Sequence, residues 1–275
     1  MWQVGRALPG FALLATACFV PEYQAAQGAG GGSTGASGAT GGMGGAANPF
    51  GQALHFSGAR GRIEAHEATS LDLSRLAFTV ELWFQPENLP IYQALVVHGA
   101  SNVPTPGWSI YANEASVSLH TSNGTMEASV GAAAVLEVGH KHHIAVTRQG
   151  DAGHIWVRDA TEGETAHAHA ATDYVLETWP SPLTEPFELG GTWDGARVYF
   201  PVEGVLDDVR IWGEARTDQE INQNAEAPVV CGQAGLIAYW SMDETRGNVV
   251  HHCDGSGNLD LVIEGDGYEW VPSPF

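Results

Sequence analysis

The stretch Gly204-Val205-Leu206-Asp207-Asp208-Val209-Arg210-Ile211-Trp212, followed by Ala215-Arg216-Thr217-Asp218-Gln219-Glu220-Ile221, decides the fold. It reads as a strand running into a short capped helix. Strict alternation puts Val205, Asp207, Val209 and Ile211 on one face and Leu206, Asp208, Arg210 and Trp212 on the other, so both faces carry bulky apolar groups. A strand of that kind belongs inside a two-sheet sandwich. Thr217 with Glu220 three residues on, just before Ile221, is a capping-box pattern that starts a turn or two of helix.

On either side of it, glycine-rich turns punctuate short runs rich in β-branched and aromatic residues, and long helical periodicity is absent between Phe56 and Phe200. Phe78-Thr79-Val80-Glu81-Leu82-Trp83-Phe84-Gln85-Pro86 alternates Phe78, Val80, Leu82 and Phe84 against Thr79, Glu81 and Trp83, the pattern of a half-buried strand ended by proline. Further runs lie at Tyr92–His98, Trp108–Ala112, Ser116–His120, Met126–Val130, His142–Arg148, His154–Arg158 and Phe187–Leu189. Strands at such close intervals, separated by turns, are those of an all-β sandwich.

Taken in order, these runs resemble the landmarks of the laminin-G-like (LamG-like) jellyroll domains. Ala53-Leu54-His55-Phe56-Ser57-Gly58 resembles the opening strand, Ser70-Leu71-Asp72-Leu73 the next turn, and Phe78–Pro86 and Trp108–Tyr111 the strands after it. Lys141-His142-His143-Ile144-Ala145-Val146-Thr147 resembles the Trp-His-His-Val-Ala-Val-Thr strand with lysine for tryptophan, and Gly190-Gly191 the turn before the closing signature at Gly204–Trp212. The match runs from Ala53 to Gln223. It implies an all-β, two-sheet antiparallel jellyroll sandwich of the concanavalin A-like type, with a short helix after the closing strand. Gly235-Leu236-Ile237-Ala238-Tyr239-Trp240, which looks like a strand that often begins such a domain, here follows the closing signature. It is expected to fold back on the same sandwich.

Residues 1–18 carry one early charge, Arg6, then the apolar run Ala7–Ala15 and small residues before Cys18, the pattern of a bacterial export signal. Ala15-Thr16-Ala17-Cys18 resembles a lipoprotein cleavage box, which implies lipidation of Cys18; the alternative is an ordinary secretory signal cut near Ala26. Assigning Cys18 to lipid leaves Cys231 and Cys253 as a disulfide pair in an oxidising compartment, against two free buried thiols. Residues 19–48 are mostly Gly, Ala, Ser and Thr and read as a flexible linker, and 49–275 as the jellyroll domain including the disulfide-tied C-terminal segment. The expected location is extracytoplasmic, as an outer-membrane or cell-surface lipoprotein or otherwise secreted, with a lipid anchor as the sole membrane contact.

With 32 acidic against 11 basic residues and a net charge of −21, the chain is a poor partner for nucleic acid or anionic head groups. Histidines at His140, His142 and His143, His167 and His169, and His251 and His252 could in principle bind zinc, but the family pattern reads the second and third as structural. Calcium is the one cofactor the resemblance implies. Its acids at the closing signature match Asp207 and Asp208, while Ala59, Arg60, Gly61 and Arg62 stand where acids follow the opening strand. Neither paired carboxylates at alternate positions of one strand nor a Gly-x-Ser-x-Gly elbow is present.

The reading is therefore a non-catalytic recognition or adhesion module for glycan or extracellular protein at the cell envelope. Trp108, Trp179 and Trp193, with Trp156, are the candidate contacts because aromatic faces stack on sugars; the segment from Trp179 to Trp193 reads as a surface loop. The alternatives are a structural envelope component without a small ligand and a glycan-active enzyme with carboxylates from separate strands.

Overall fold

A computed structural model describes residues 49–58, 61–65, 71, 73, 77–90, 92–99, 104–114, 116–133, 136–161 and 176–275, and 168–171 by backbone alone. The signal and linker expectations at 1–48, Cys18 included, lie outside the described residues, as do Ala59, Arg60, His167 and the side chain of His169. Described residues belong to one compact unit within Gly45–Phe275.

The strands are β1 (Gln52–Ser57), β2 (Arg62–Ala65), β3 (Phe78–Pro86), β4 (Gln93–His98), β5 (Gly107–Asn113), β6 (Ser116–Ser122), β7 (Glu127–Ala133), β8 (His142–Gln149), β9 (Ala152–Asp159), β10 (Ala168–Ala171), β11 (Phe187–Leu189), β12 (Thr192–Trp193), β13 (Val198–Tyr199), β14 (Glu203–Trp212), β15 (Leu236–Trp240), β16 (Val249–Val250), β17 (Leu261–Glu264) and β18 (Tyr268–Pro272). Helix α1 spans Asp218–Asn224. One antiparallel sheet runs β10-β9-β8-β3-β14-β1-β18, with β15 also paired to β14; a second runs β16-β17-β2-β11-β4-β5-β6-β7. Leu54, Phe56, Phe78, Val80 and Leu82 from the first sheet pack with Ile63, Trp108, Ile110, Phe187 and Leu189 from the second in one buried core. The all-β sandwich that the strand pattern implied is the observed architecture.

Strand β14 departs from the strict alternation expected of it. Asp208 has φ +53°, and the pairing with β3 shifts register between Asp207 and Arg210. A bulge of this kind inserts one unpaired residue and re-aims the side chains beyond it. Leu206, Val209 and Ile211 consequently share the inter-sheet core, whereas simple alternation placed Leu206 opposite the other two.

Strand β3 is buried on both faces rather than half-buried. Its second face is roofed by the segment around α1. Thr79 Oγ1 donates to the Glu214 carbonyl at 2.8 Å and accepts from the Arg216 amide at 2.8 Å, and Trp83 Nε1 donates to the Ala225 carbonyl at 3.0 Å. Phe50 and Phe275 pack against the same indole, with ring centroids 5.9 and 5.2 Å away. The capping box predicted at Thr217 and Glu220 starts α1: the Glu220 amide donates to Thr217 Oγ1 at 3.3 Å and the Thr217 amide to Glu220 Oε2 at 2.8 Å. Ile221 is its one buried side chain.

The C-terminal stretch returns to the sandwich twice over. β15 pairs antiparallel with β14 and β18 with β1, while β16 and β17 extend the second sheet through β2. Trp240 is fully buried, and its indole donates to the Leu259 carbonyl at 2.8 Å. Cys231 and Cys253 form a disulfide across a separation of 22 residues. Closing a loop of that length stabilises the folded state by about 3 kcal/mol in the chain-entropy model. Reduction, or replacing both cysteines by serine, is expected to lower the unfolding free energy by about that amount in denaturant titration, with the sandwich retained.

Candidate functional site

The second sheet has an outer face of its own. On β2 and β11, Arg62, Glu64 and Glu188 alternate with Ile63, Ala65, Phe187 and Leu189 of the core, as the period of a strand requires. At the end of β11, Gly190 and Gly191 take φ of +79° and +155°. A Cβ at Gly190 would lie 2.5 Å from the Phe56 ring, so glycine alone permits this close reversal. The chain then folds back as the β12–β13 hairpin, with Thr192 opposite Tyr199 and Trp193 opposite Val198.

The hairpin is held at both ends. Asp194 Oδ1 accepts from the amides of Ala196 and Arg197, each at 2.8 Å, which holds the carboxyl below the ordinary aspartate range. At the base, buried Glu188 accepts from the Trp193 amide at 3.0 Å, Thr192 Oγ1 at 2.8 Å and Arg62 Nη1 at 3.1 Å. Burial raises the Glu188 carboxyl, and these donors work against that rise. Arg62 also pairs with Glu64. On the exit side Phe200 has φ +49°, a strained value for a bulky residue. Its carbonyl accepts from the Ala94 amide at 2.8 Å, and its ring packs edge-on to Tyr92 and Tyr111, contacts that over-determine the conformation.

This construction leaves Trp193 with 43% of its surface exposed. The indole lines two cavities. The first, about 390 Å³, is also bounded by Glu185, Glu188, Asp194, Tyr199 and Phe200; the second, about 590 Å³, by Arg62, Arg197, Val198 and Glu264. Both volumes fall within the roughly 300–1,000 Å³ of small-molecule sites. The Arg62 guanidinium lies over the Trp193 ring at 5.2 Å and that of Arg197 over Tyr199 at 4.2 Å.

Of the expected tryptophans, Trp193 alone has this setting. Trp108 is fully buried against Phe78 and Phe187. Trp179 is also in the core, with Arg148 at 5.1 Å over its ring. Both are corrections to the reading of these residues as ligand contacts, because a ring with no exposed face cannot stack on a sugar. Trp156 is part-buried on β9 beside His154. The stretch from Trp179 to Trp193 is likewise more than a surface loop, since β11 lies inside the second sheet between β2 and β4.

Asp207 and Asp208 do not fit the calcium role. They are buried on β14. Asp208 pairs with buried Arg210, whose guanidinium also donates to the carbonyls of Asn224 at 2.7 Å and Ala227 at 2.9 Å. Asp207 accepts from Ser273 Oγ at 2.7 Å. A calcium ion needs several converging oxygens, whereas Asp208 already has a fixed cation beside it. Among the described residues, no group of three or more His, Cys, Asp and Glu side chains is placed to hold a metal. His142 lies buried with its Nε2 accepting from the Glu137 amide at 3.0 Å, and His143 faces Glu81 at 3.4 Å.

The geometry thus presents a two-sheet sandwich with Trp193 exposed on a braced hairpin over the second sheet. The chain belongs to the family described as the concanavalin A-like lectin/glucanases superfamily, whose model matches residues 57–222. Among solved structures, it resembles a candidate carbohydrate binding protein from Bacteroides ovatus at TM-score 0.60 and 18% identity, over 82% of this chain and 60% of that one. It also resembles the CBM40 of the Ruminococcus gnavus IT-sialidase, alone and bound to α2,3-sialyllactose, at TM-score 0.50 and 16% identity over 65% of this chain and 99% of that one. No curated protein sequence matches significantly.

Burial pushes the Asp207 carboxyl well above the ordinary aspartate range, with Asp208 and Asp243 adding to the rise. A raised carboxyl binds its proton more tightly folded than unfolded, so this group makes stability fall as pH climbs above the ordinary aspartate value. Asp207→Asn keeps a side-chain oxygen for Ser273 without the charge. Thermal unfolding across pH is expected to show a shallower loss of stability toward neutral pH in this variant and a higher midpoint there than in the parent.

Proposed function

We propose that this chain is a non-catalytic glycan-recognition module acting outside the cytoplasm, with Trp193 as its stacking platform. The observation that carries the reading is the exposed indole between two cavities, with its backbone fixed by buried Glu188. An aromatic plane held by a rigid frame offers apolar contact to the C–H face of a sugar while neighbouring polar groups meet its hydroxyls. The fold shared with a candidate carbohydrate binding protein and with a module bound to sialyllactose supports the assignment.

A hydrolytic role has weaker support. Glycosidases use two carboxyl groups, one to donate a proton and one to attack or activate water. Glu188 is the buried acid of the site, and both its oxygens are engaged by structural donors. The disulfide between Cys231 and Cys253 supports an oxidising compartment, and the lipobox-like run at Cys18 supports a lipid tether through residues 19–48. Among the described residues, no helix is long and apolar enough to cross a membrane.

Glycan-array screening followed by calorimetry on the leading oligosaccharide tests the reading. Trp193→Ala is expected to weaken binding by about tenfold or more with an unchanged melting temperature; equal affinity of parent and variant would sink the assignment. In a bacterial host the full chain is expected to take up labelled fatty acid, and Cys18→Ser to abolish the label and release the protein from the membrane fraction.

A further inference from the structure

The two cavities that share Trp193 differ in charge. Among the described residues lining the first are three carboxylates, Glu185, Glu188 and Asp194, and no lysine or arginine. Three aromatic rings, Trp193, Tyr199 and Phe200, bound the same space. Arg62 and Arg197 line the second cavity and not the first, although each lies over a ring that also borders the first. Aromatic faces and carboxylates together attract an ammonium group, the faces through their quadrupoles and the acids through charge. The chain as a whole, at −21, repels anions and draws cations toward any such cleft.

Resting on the glycan-binding reading above, we infer that the first cavity takes an amino sugar carrying a free ammonium group, so that the module prefers cationic, deacetylated glycans to neutral or acidic ones. Within the cavity the acids have different duties. Glu188 is spent on Thr192, Trp193 and Arg62, and Asp194 on the hairpin turn. Glu185 receives one hydrogen bond, from its neighbour Thr184 at 3.1 Å, and is the carboxylate best placed to pair with an incoming cation. An N-acetyl group removes the positive charge and adds bulk. A uronic acid would bring like charge against Glu185 and Asp194.

Calorimetry on the whole chain with a glucosamine tetramer, its N-acetylated counterpart, a galacturonate tetramer and tetralysine tests this. The glucosamine tetramer is expected to bind about tenfold more tightly than the acetylated one. That ratio should fall toward one as pH rises through the amine's own titration, and also in Glu185→Gln. Equal or tighter binding of the acetylated tetramer would overturn the inference and leave the glycan reading standing. So would preference for galacturonate. Tighter binding of tetralysine would assign the cavity to a basic peptide instead, and no measurable binding of any of the three sugar tetramers would overturn the inference while the glycan array decides the wider reading.

Discussion

The structure depends on the first sheet being dry on both faces along β3 and β14. One face meets the second sheet across the core. The other is closed by the α1 segment and the chain's last residues, which place Thr79, Glu81, Asp208 and Arg210 out of solvent. Polar groups so placed are tolerable only with partners. Thr79 bonds twice to the Glu214–Arg216 backbone, and Arg210 bridges Asp208 to the carbonyls of Asn224, the last residue of α1, and of Ala227 beyond it. His143 and Arg216 flank Glu81 at 3.4 and 3.7 Å, and Arg216 stacks at 3.8 Å on Trp212. These contacts tie the roof to the sheet with more directional demand than apolar packing alone imposes.

The bulge at Asp208 is what makes that arrangement consistent. It turns Leu206, Val209 and Ile211 to the core and leaves Asp208 and Arg210 under the roof. The acids that the resemblance offered as calcium ligands are thereby committed to a protein cation and a serine. A closing Asp-Asp pair in a strand can serve either a metal or a buried ion pair, and the arginine two residues later decides between them here.

The second sheet supplies the opposite environment. Its outer face is partly open, and the β12–β13 hairpin crosses it on contacts centred on Glu188. Rigidity at the base and exposure at the tip are the combination a recognition surface needs, since an anchor already held in place loses little freedom on binding. The same hairpin divides the space into an acidic, aromatic cavity and one lined by arginines, so charge as well as shape differs along the surface.

Much of this was legible in residue order. Period-two runs located β3, β5, β6 and β8, the Thr217–Glu220 pair located α1, and the cysteine count pointed to Cys231 and Cys253, because each of these signals is local or arithmetical. Tryptophan roles were not legible, since Trp108 and Trp193 both follow glycine-bearing turns and only packing separates a core ring from an exposed one. The Asp194-Gly195 pair between Trp193 and Val198 was an available hairpin signal, masked by the brevity of β12 and β13. The bulge, the roof over β3 and the partners of Glu188 and Arg210 include hydrogen bonds between residues as far as 142 positions apart. Such contacts leave no local periodicity, so the sequence alone determined the sandwich and its helix, and tertiary packing decided which charges are buried and which indole faces solvent.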